Sequence, residues 1–285
     1  MRAAIAGAIT LLMLAPASAA PPVVRPGFKP PAPPASAKLR PDDIKAKFFN
    51  GESFTAATPA GVKFKMTYSA DGKVTREEAL ANARMIAGAV DIPVIGDLEK
   101  GFGDSPDAAA LTIKGAAEVG LVGGSIEDAT GNKDAPLYDI ETAAARVKAA
   151  AQAAKGLGFG FVVTARAEGC LRGKPDIDEI IKRLQAFEAA GADVLMAPGL
   201  PDLAAIKKVT SSITKPFNFM VGIPKRSFSK AELEAAGVKR ISLATSLYKA
   251  AMTGLLNAAK DAKAGNFAYV DTVVSTAELS GYMKD

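Results

Sequence analysis

The chain has 285 residues, is 49% apolar, 23% charged and only 6% aromatic, and carries a net charge of +5, enough apolar material to bury the core of one large domain. It contains no histidine and a single cysteine, Cys170, which excludes histidine triads, thiolate zinc sites and intrachain disulfides and leaves acid–base chemistry to Asp, Glu, Lys, Arg or Tyr. Its lysines and arginines are scattered among acids with no basic run interleaved with aromatics, which argues against nucleic-acid binding.

Residues 1–19 combine Arg2, an apolar segment from Ala3 to Leu14 and a small-residue Pro16-Ala-Ser-Ala19 site, the pattern of a secretory signal peptide. The apolar run is too short for a comfortable transmembrane helix, so the mature chain is expected to be periplasmic or secreted and off the membrane. A cytoplasmic protein with a misjoined N-terminus is the alternative. Residues 20–41 hold eight prolines and read as an extended linker. Residues 42–72 form a small segment: a short helix over 42–50, then strand-like runs at Ser53–Ala57 and Val62–Tyr68 joined by a turn at Thr58-Pro-Ala-Gly61, a β-hairpin.

Regular structure begins at Thr75-Arg-Glu-Glu78, a capping box that opens a helix to about Ala89. The apolar run at 92–97 reads as a buried strand, and Ser105-Pro106-Asp107 supplies the cap, first-turn proline and acid of the next helix, which ends near Gly120. The unit then recurs. Strands are expected at 121–126, 159–165, 194–197, 216–221 and 240–244, with helices at about 139–155, 177–190, 202–211, 229–236 and 246–263. With 92–97 this makes six βα units, two short of the eight of a closed barrel, so the expected fold is α/β: an incomplete TIM-type (β/α) barrel over 73–267, with a C-terminal tail at 268–285.

Chemistry concentrates where these strands end, the end at which parallel barrels build their sites. Asp97 and Glu99 follow the first strand, with alternate positions aiming both carboxylates to one side, where they are either solvated or hold a divalent cation. Glu127-Asp128 and then Arg166 with Glu168 end the next two strands. Three consecutive polar strand tips on one face favour a real site. Cys170 reads as a packed thiol.

At these residues the chain resembles the isocitrate lyase and phosphoenolpyruvate mutase superfamily. The matching stretches are Gly96-Asp-Leu-Glu-Lys-Gly-Phe-Gly103, Gly124-Ser-Ile-Glu-Asp128, Ala165-Arg-Ala-Glu168 with Arg172-Gly-Lys-Pro-Asp176, Ala189-Ala-Gly-Ala-Asp193 with Ala197-Pro-Gly-Leu200, and Gly237-Val-Lys-Arg-Ile-Ser242, spanning about Asp71 to Phe267. The resemblance implies a magnesium ion (or manganese) at Asp97, with Glu99 and Glu127 holding its water ligands. It implies that Arg166 binds the substrate carboxylate and, with Glu127, serves catalysis. The implied reaction makes or breaks a C–C or P–C bond beside a small 2-oxo acid through a pyruvate enolate, and homo-oligomers are common among such barrels.

Two departures temper this. The Lys-Cys-Gly-His segment of isocitrate lyases is replaced by the loop 129–138, where Lys133 and Tyr138 are the nearest substitutes for its acid and read more plainly as a solvated lysine and a packed tyrosine. The family's first two βα units have no counterpart before Asp71. The alternative to an active lyase is therefore a catalytically disabled, exported barrel that binds a small carboxylate or has only an interaction role.

Overall fold

A computed structural model describes residues 74–281 and the backbone of two strands at 53–57 and 63–67. The signal peptide (1–19), proline-rich linker (20–41), the helix expected at 42–50 and the turn at 58–61 lie outside the described residues. The chain divides into two compact units, 1–75 and 76–285.

In the first unit, β1 (Ser53–Ala57) and β2 (Lys63–Thr67) pair antiparallel from Ser53 opposite Thr67 to Ala57 opposite Lys63, the hairpin expected from the sequence.

The second unit opens with α1 (Arg76–Ala87), and six βα units follow. They are β3 (Ile95–Asp97) with α2 (Pro106–Glu118), β4 (Gly123–Glu127) with α3 (Ile140–Lys155), β5 (Val162–Arg166) with α4 (Ile177–Ala189), β6 (Val194–Met196) with α5 (Leu203–Thr210), β7 (Phe217–Met220) with α6 (Lys230–Ala235), and β8 (Arg240–Ser242) with α7 (Ser246–Lys263). The tail adds α8 (Thr276–Gly281) after a 3₁₀ turn at Ala268–Thr272. The strands lie side by side in chain order, all parallel, as a curled half-barrel: an incomplete TIM-type barrel whose edges among the described residues are β3 and β8. No helix among the described residues is long and apolar enough to cross a membrane.

Helix ends follow the capping chemistry in the sequence. Ser105 Oγ accepts from the Ala108 N–H with Pro106 in the first turn, Asp139 caps α3, Asp176 caps α4, Asp202 caps α5, and Ser229 with Glu232 closes a capping box on α6. Several strands are shorter than their apolar runs. Leu121 illustrates why: it is buried, but its N–H bonds back to Ala116 O at the end of α2, so it closes the helix and joins no ladder.

Two apolar clusters fill the space between sheet and helices. One gathers Leu98, Ile113, Leu121, Ile126, Phe161 and Val163 under α2 and α3; the other joins Leu184, Phe187, Leu195, Ile206, Phe217 and Phe219 under α4 to α6. The first cluster explains Gly124 of β4: a Cβ there would lie 2.5 Å from Leu98 Cδ1, so Leu98 occupies the space a side chain would need. Leu98 thereby locks the tip of β3 against β4, and with it the acids on either side.

Candidate active site

Strand β3 stops at Asp97, and the backbone turns at once through left-handed positions at Glu99 (φ 51°), Gly101 (φ 82°) and Phe102 (φ 54°). The two-residue alternation therefore does not carry Glu99, which leaves the ladder. Its carboxylate stays exposed, and the turn places it by backbone bonds: the Glu99 N–H donates to Asp97 Oδ1 at 3.1 Å and Glu99 O accepts from the Glu127 N–H at 3.0 Å. Asp97 is 62% exposed, and Ser125 on the neighbouring strand also donates to its Oδ1, at 3.2 Å.

Arg166, at the tip of β5, brings the predicted residues together. Its Nη1 donates to Asp97 Oδ1 at 2.7 Å, and its Nη2 lies 2.7 Å from Glu127 Oε2. The second contact is an ion pair by distance with the hydrogens aimed elsewhere, so Glu127 Oε2 is a buried acceptor without a hydrogen-bond donor. Asp97, Glu127 and Arg166 thus converge, and Glu99 is tied to them through its backbone.

Three further residues complete the cluster. Glu168, 1% exposed, accepts on Oε1 from Arg166 Nε (3.1 Å) and Nη2 (2.8 Å). Arg172, just past the 3₁₀ turn at Gly169–Leu171, places Nη2 3.1 Å from Glu127 Oε1 and 3.4 Å from Glu168 Oε2. Arg166, Glu127, Arg172 and Glu168 therefore form a closed ring of alternating charge, from which Asp97 hangs on Arg166 Nη1. Behind the ring, Asp128 accepts from the Glu168 N–H at 2.8 Å and from Arg183 Nη1 at 3.1 Å. Glu168 belongs to the polar strand tip read from the sequence with Arg166, although the ladder itself stops at Arg166; Arg172, in the stretch Arg172–Asp176 of the resemblance, lies beyond the strand end, where no alternation directs it.

Burial sets the electrostatics. It raises the Glu127 carboxyl to about 7, against the pull of Arg166 and with a further push from Glu168 and Glu99. Burial likewise lifts Asp128 to about 6, opposed by the Glu168 N–H and by Arg183. For Arg166, burial disfavours the cation, yet Asp97, Glu168 and Glu127 together outweigh it and hold the guanidinium above its ordinary value.

The loop after β4 does not deliver a ready acid. Tyr138 packs its ring 4.6 Å from the Arg146 guanidinium and donates to Asp104 at 2.5 Å, and burial with that bond raises the phenol to about 12. Lys133 is exposed. Cys170 is half-buried beside Gly199, its thiol pushed up by burial. Among the described residues no three acids are placed as a ready metal cage. Instead, Arg166 stands between Asp97 and Glu127.

The family profile described as phosphoenolpyruvate phosphomutase matches residues 42–263. The chain belongs to the phosphoenolpyruvate phosphomutase family. The match begins ahead of Asp71, where the sequence motifs start the resemblance, and so takes in both hairpin strands. A solved structure from Burkholderia cenocepacia J2315, assigned as a lyase/mutase, is 40% identical with a TM-score of 0.73, covering 75% of this chain and 77% of that one. The structure of a phosphonopyruvate hydrolase in complex with oxalate and Mg²⁺ is 25% identical with a TM-score of 0.62, over 74% of this chain and 76% of that one. An oxaloacetate decarboxylase of Ectopseudomonas mendocina (strain ymp) is 26% identical over 148 residues, 50% of this chain and 49% of the relative. The chain spans about half the length of the curated relatives it matches. The relatives so named thus include enzymes of oxaloacetate and of phosphonopyruvate, the latter seen with Mg²⁺.

Proposed function

We propose that this phosphoenolpyruvate phosphomutase family member is a magnesium-dependent, lyase-type enzyme. Its reaction makes or breaks a C–C or P–C bond next to a small 2-oxo acid through a pyruvate enolate, with Arg166 and Glu127 as catalytic residues. The observation that carries this reading is the charge of the strand-tip cluster. Asp97, Glu127 and Glu168 pair with only two guanidinium groups, Arg166 and Arg172, and Glu99 is tied to Asp97 and Glu127 through its backbone, so the cluster stays net negative even with the Glu127 carboxyl held near 7, a charge that a divalent cation would offset.

The donor set fits that ion. All its members are carboxylate oxygens, the ligands magnesium and manganese prefer, and Glu127 Oε2 is a buried acceptor with no hydrogen-bond donor. Asp97 would hold the cation and Glu99 and Glu127 its waters. When bound, the cation supplies Lewis-acid stabilisation for an enolate oxygen. Arg166 would bind the substrate carboxylate through charge-assisted hydrogen bonds, strong here because the carboxylates around it are buried and the geometry is fixed before the reaction.

A second reading is a barrel that binds a small carboxylate without turnover. It is favoured by the sheet edge at β3, the strand that carries Asp97, which has a ladder neighbour on one side alone among the described residues. A screen of the full chain with magnesium against oxaloacetate, phosphonopyruvate and 2-methylmalate-type acids separates the two. Turnover that disappears in Asp97→Ala supports the enzyme. Carboxylate binding without turnover supports the second reading, and no binding by calorimetry removes both. Export, and self-association through the C-terminal region, are further parts of the proposal. The mass of the mature chain and its sedimentation would test them; an intact Met1 in the cytosol would overturn export.

A further inference from the structure

We infer that Glu168 is the positioning residue of Arg166: it takes up the Nε and Nη2 side of the guanidinium, so that Nη1 alone is turned to the mouth of the site for an incoming anion. The inference rests on the reading above that Arg166 is the anion-binding group.

Five N–H bonds radiate in one plane from a guanidinium, and an arginine side chain reaches that plane through four rotatable bonds. A carboxylate that accepts from both Nε and Nη2 fixes the plane and its rotation. Glu168 Oε1 does this at 3.1 and 2.8 Å. Nη1 is then directed away from Glu168, and in this structure it meets Asp97, whose side chain is 62% exposed.

Glu168 can act as a fixed point because it is itself held at both ends. Its N–H donates to Asp128 Oδ1 at 2.8 Å, and Asp128 is anchored by Arg183. Its second oxygen, Oε2, lies 3.4 Å from Arg172 Nη2. Between Arg166 and Glu168, Ala167 is fully buried and its N–H bonds to Met196 O on the adjoining strand, so the two-residue step from arginine to glutamate has no slack. Glu127, the other carboxylate on Nη2, cannot do the same work: its Oε2 makes an ion pair that lacks hydrogen-bond alignment. A purely structural counter-ion would need only proximity. The double acceptance on the Nε edge is what sets direction.

The test is a double-mutant cycle read by two methods. Oxalate binding in the presence of magnesium is measured by calorimetry for the wild-type chain, Glu168→Ala, Arg166→Gln and the double variant. Loss of orientation should weaken oxalate by about tenfold in Glu168→Ala, the scale of one charge-assisted hydrogen bond. In the Arg166→Gln background the second substitution should then cost nothing further. Additive losses would overturn the proposal, since Glu168 would be acting on something other than Arg166.

The second method needs no ligand. In ¹⁵N NMR of the metal-free protein, the arginine Nε–H signal that vanishes in Arg166→Gln should be slow to exchange with solvent in the wild type and fast in Glu168→Ala; an unchanged exchange rate would overturn the proposal. Glu168→Gln, which keeps the volume and an acceptor oxygen, should retain most of the protection and serves if the alanine variant does not fold. Failure of the wild type to bind oxalate at all would sink the enolate reading, whereas the exchange measurement would still decide whether Glu168 holds Arg166.

Discussion

Arg146 offers the sharpest test of how the loop after β3 is held. It is a cation at 1% exposure with no carboxylate in ion-pair reach among the described residues, and burial pulls its guanidinium below the ordinary value. Its partners are backbone carbonyls of one loop: Nη1 donates to Gly103 O (2.9 Å), Ser105 O (3.2 Å) and Asp104 O, and Nη2 donates to Lys100 O. In Arg146→Met these four acceptors lose their donors at about 1 kcal/mol each, the low end of the range for unmade hydrogen bonds because the loop can open to water. Loss of the stacking on Tyr138 adds about 0.5–1 kcal/mol, and the desolvation of the cation, no longer required, offsets a similar amount. The expected net loss is about 4 kcal/mol, or about 8–16 °C in Tm for a unit of this size. Urea and thermal unfolding by circular dichroism would measure it, and trypsin should gain access to Lys100. Arg146→Lys should recover about half, because one ammonium cannot span four carbonyls. A loss under about 1 kcal/mol with Lys100 still protected would refute the reasoning.

Other outcomes follow from the same packing. Arg183→Met should cost about 3–5 kcal/mol in urea unfolding, because Asp128 is left buried without its cation, and adding Asp128→Asn should restore much of it. Gly124→Ala should cost about 1–3 kcal/mol, since its Cβ would lie 2.5 Å from Leu98 Cδ1, and Leu98→Ala in the same chain should relieve the clash.

Much of this architecture is legible in the residues themselves. Helix limits are readable because they are chemical: Ser105-Pro106 and Thr75 with Glu78 announce the first two, and α7 occupies the expected 246–263. Strand limits are less so, because residues such as Leu121 are apolar for packing beneath a helix and look the same as ladder residues in the sequence. The same division runs through the site. Asp97, Glu127 and Arg166 stand at strand tips, where position implies direction. Glu168 and Arg172 act from a turn, and Arg172 reaches Glu127 across 45 positions of chain, a partnership no local pattern encodes. Arg146 on a helix would pass for a surface arginine; only the loop folded over it makes it a core residue.

The strictly sequential strand order has a consequence for how the molecule comes apart. Each βα unit leans mainly on the one before and the one after, so order can be lost progressively from an end of the series, as in stacked repeats. The three strands that carry the cluster are not equivalent in this respect. Glu127 and Arg166 sit on strands flanked on both sides, whereas Asp97 sits on the terminal strand β3, which has one ladder neighbour among the described residues. Amide exchange should therefore be fastest at β3 within the cluster, and any ligand that engages Asp97 together with Arg166 would slow it, stapling the frayable end of the series to its interior.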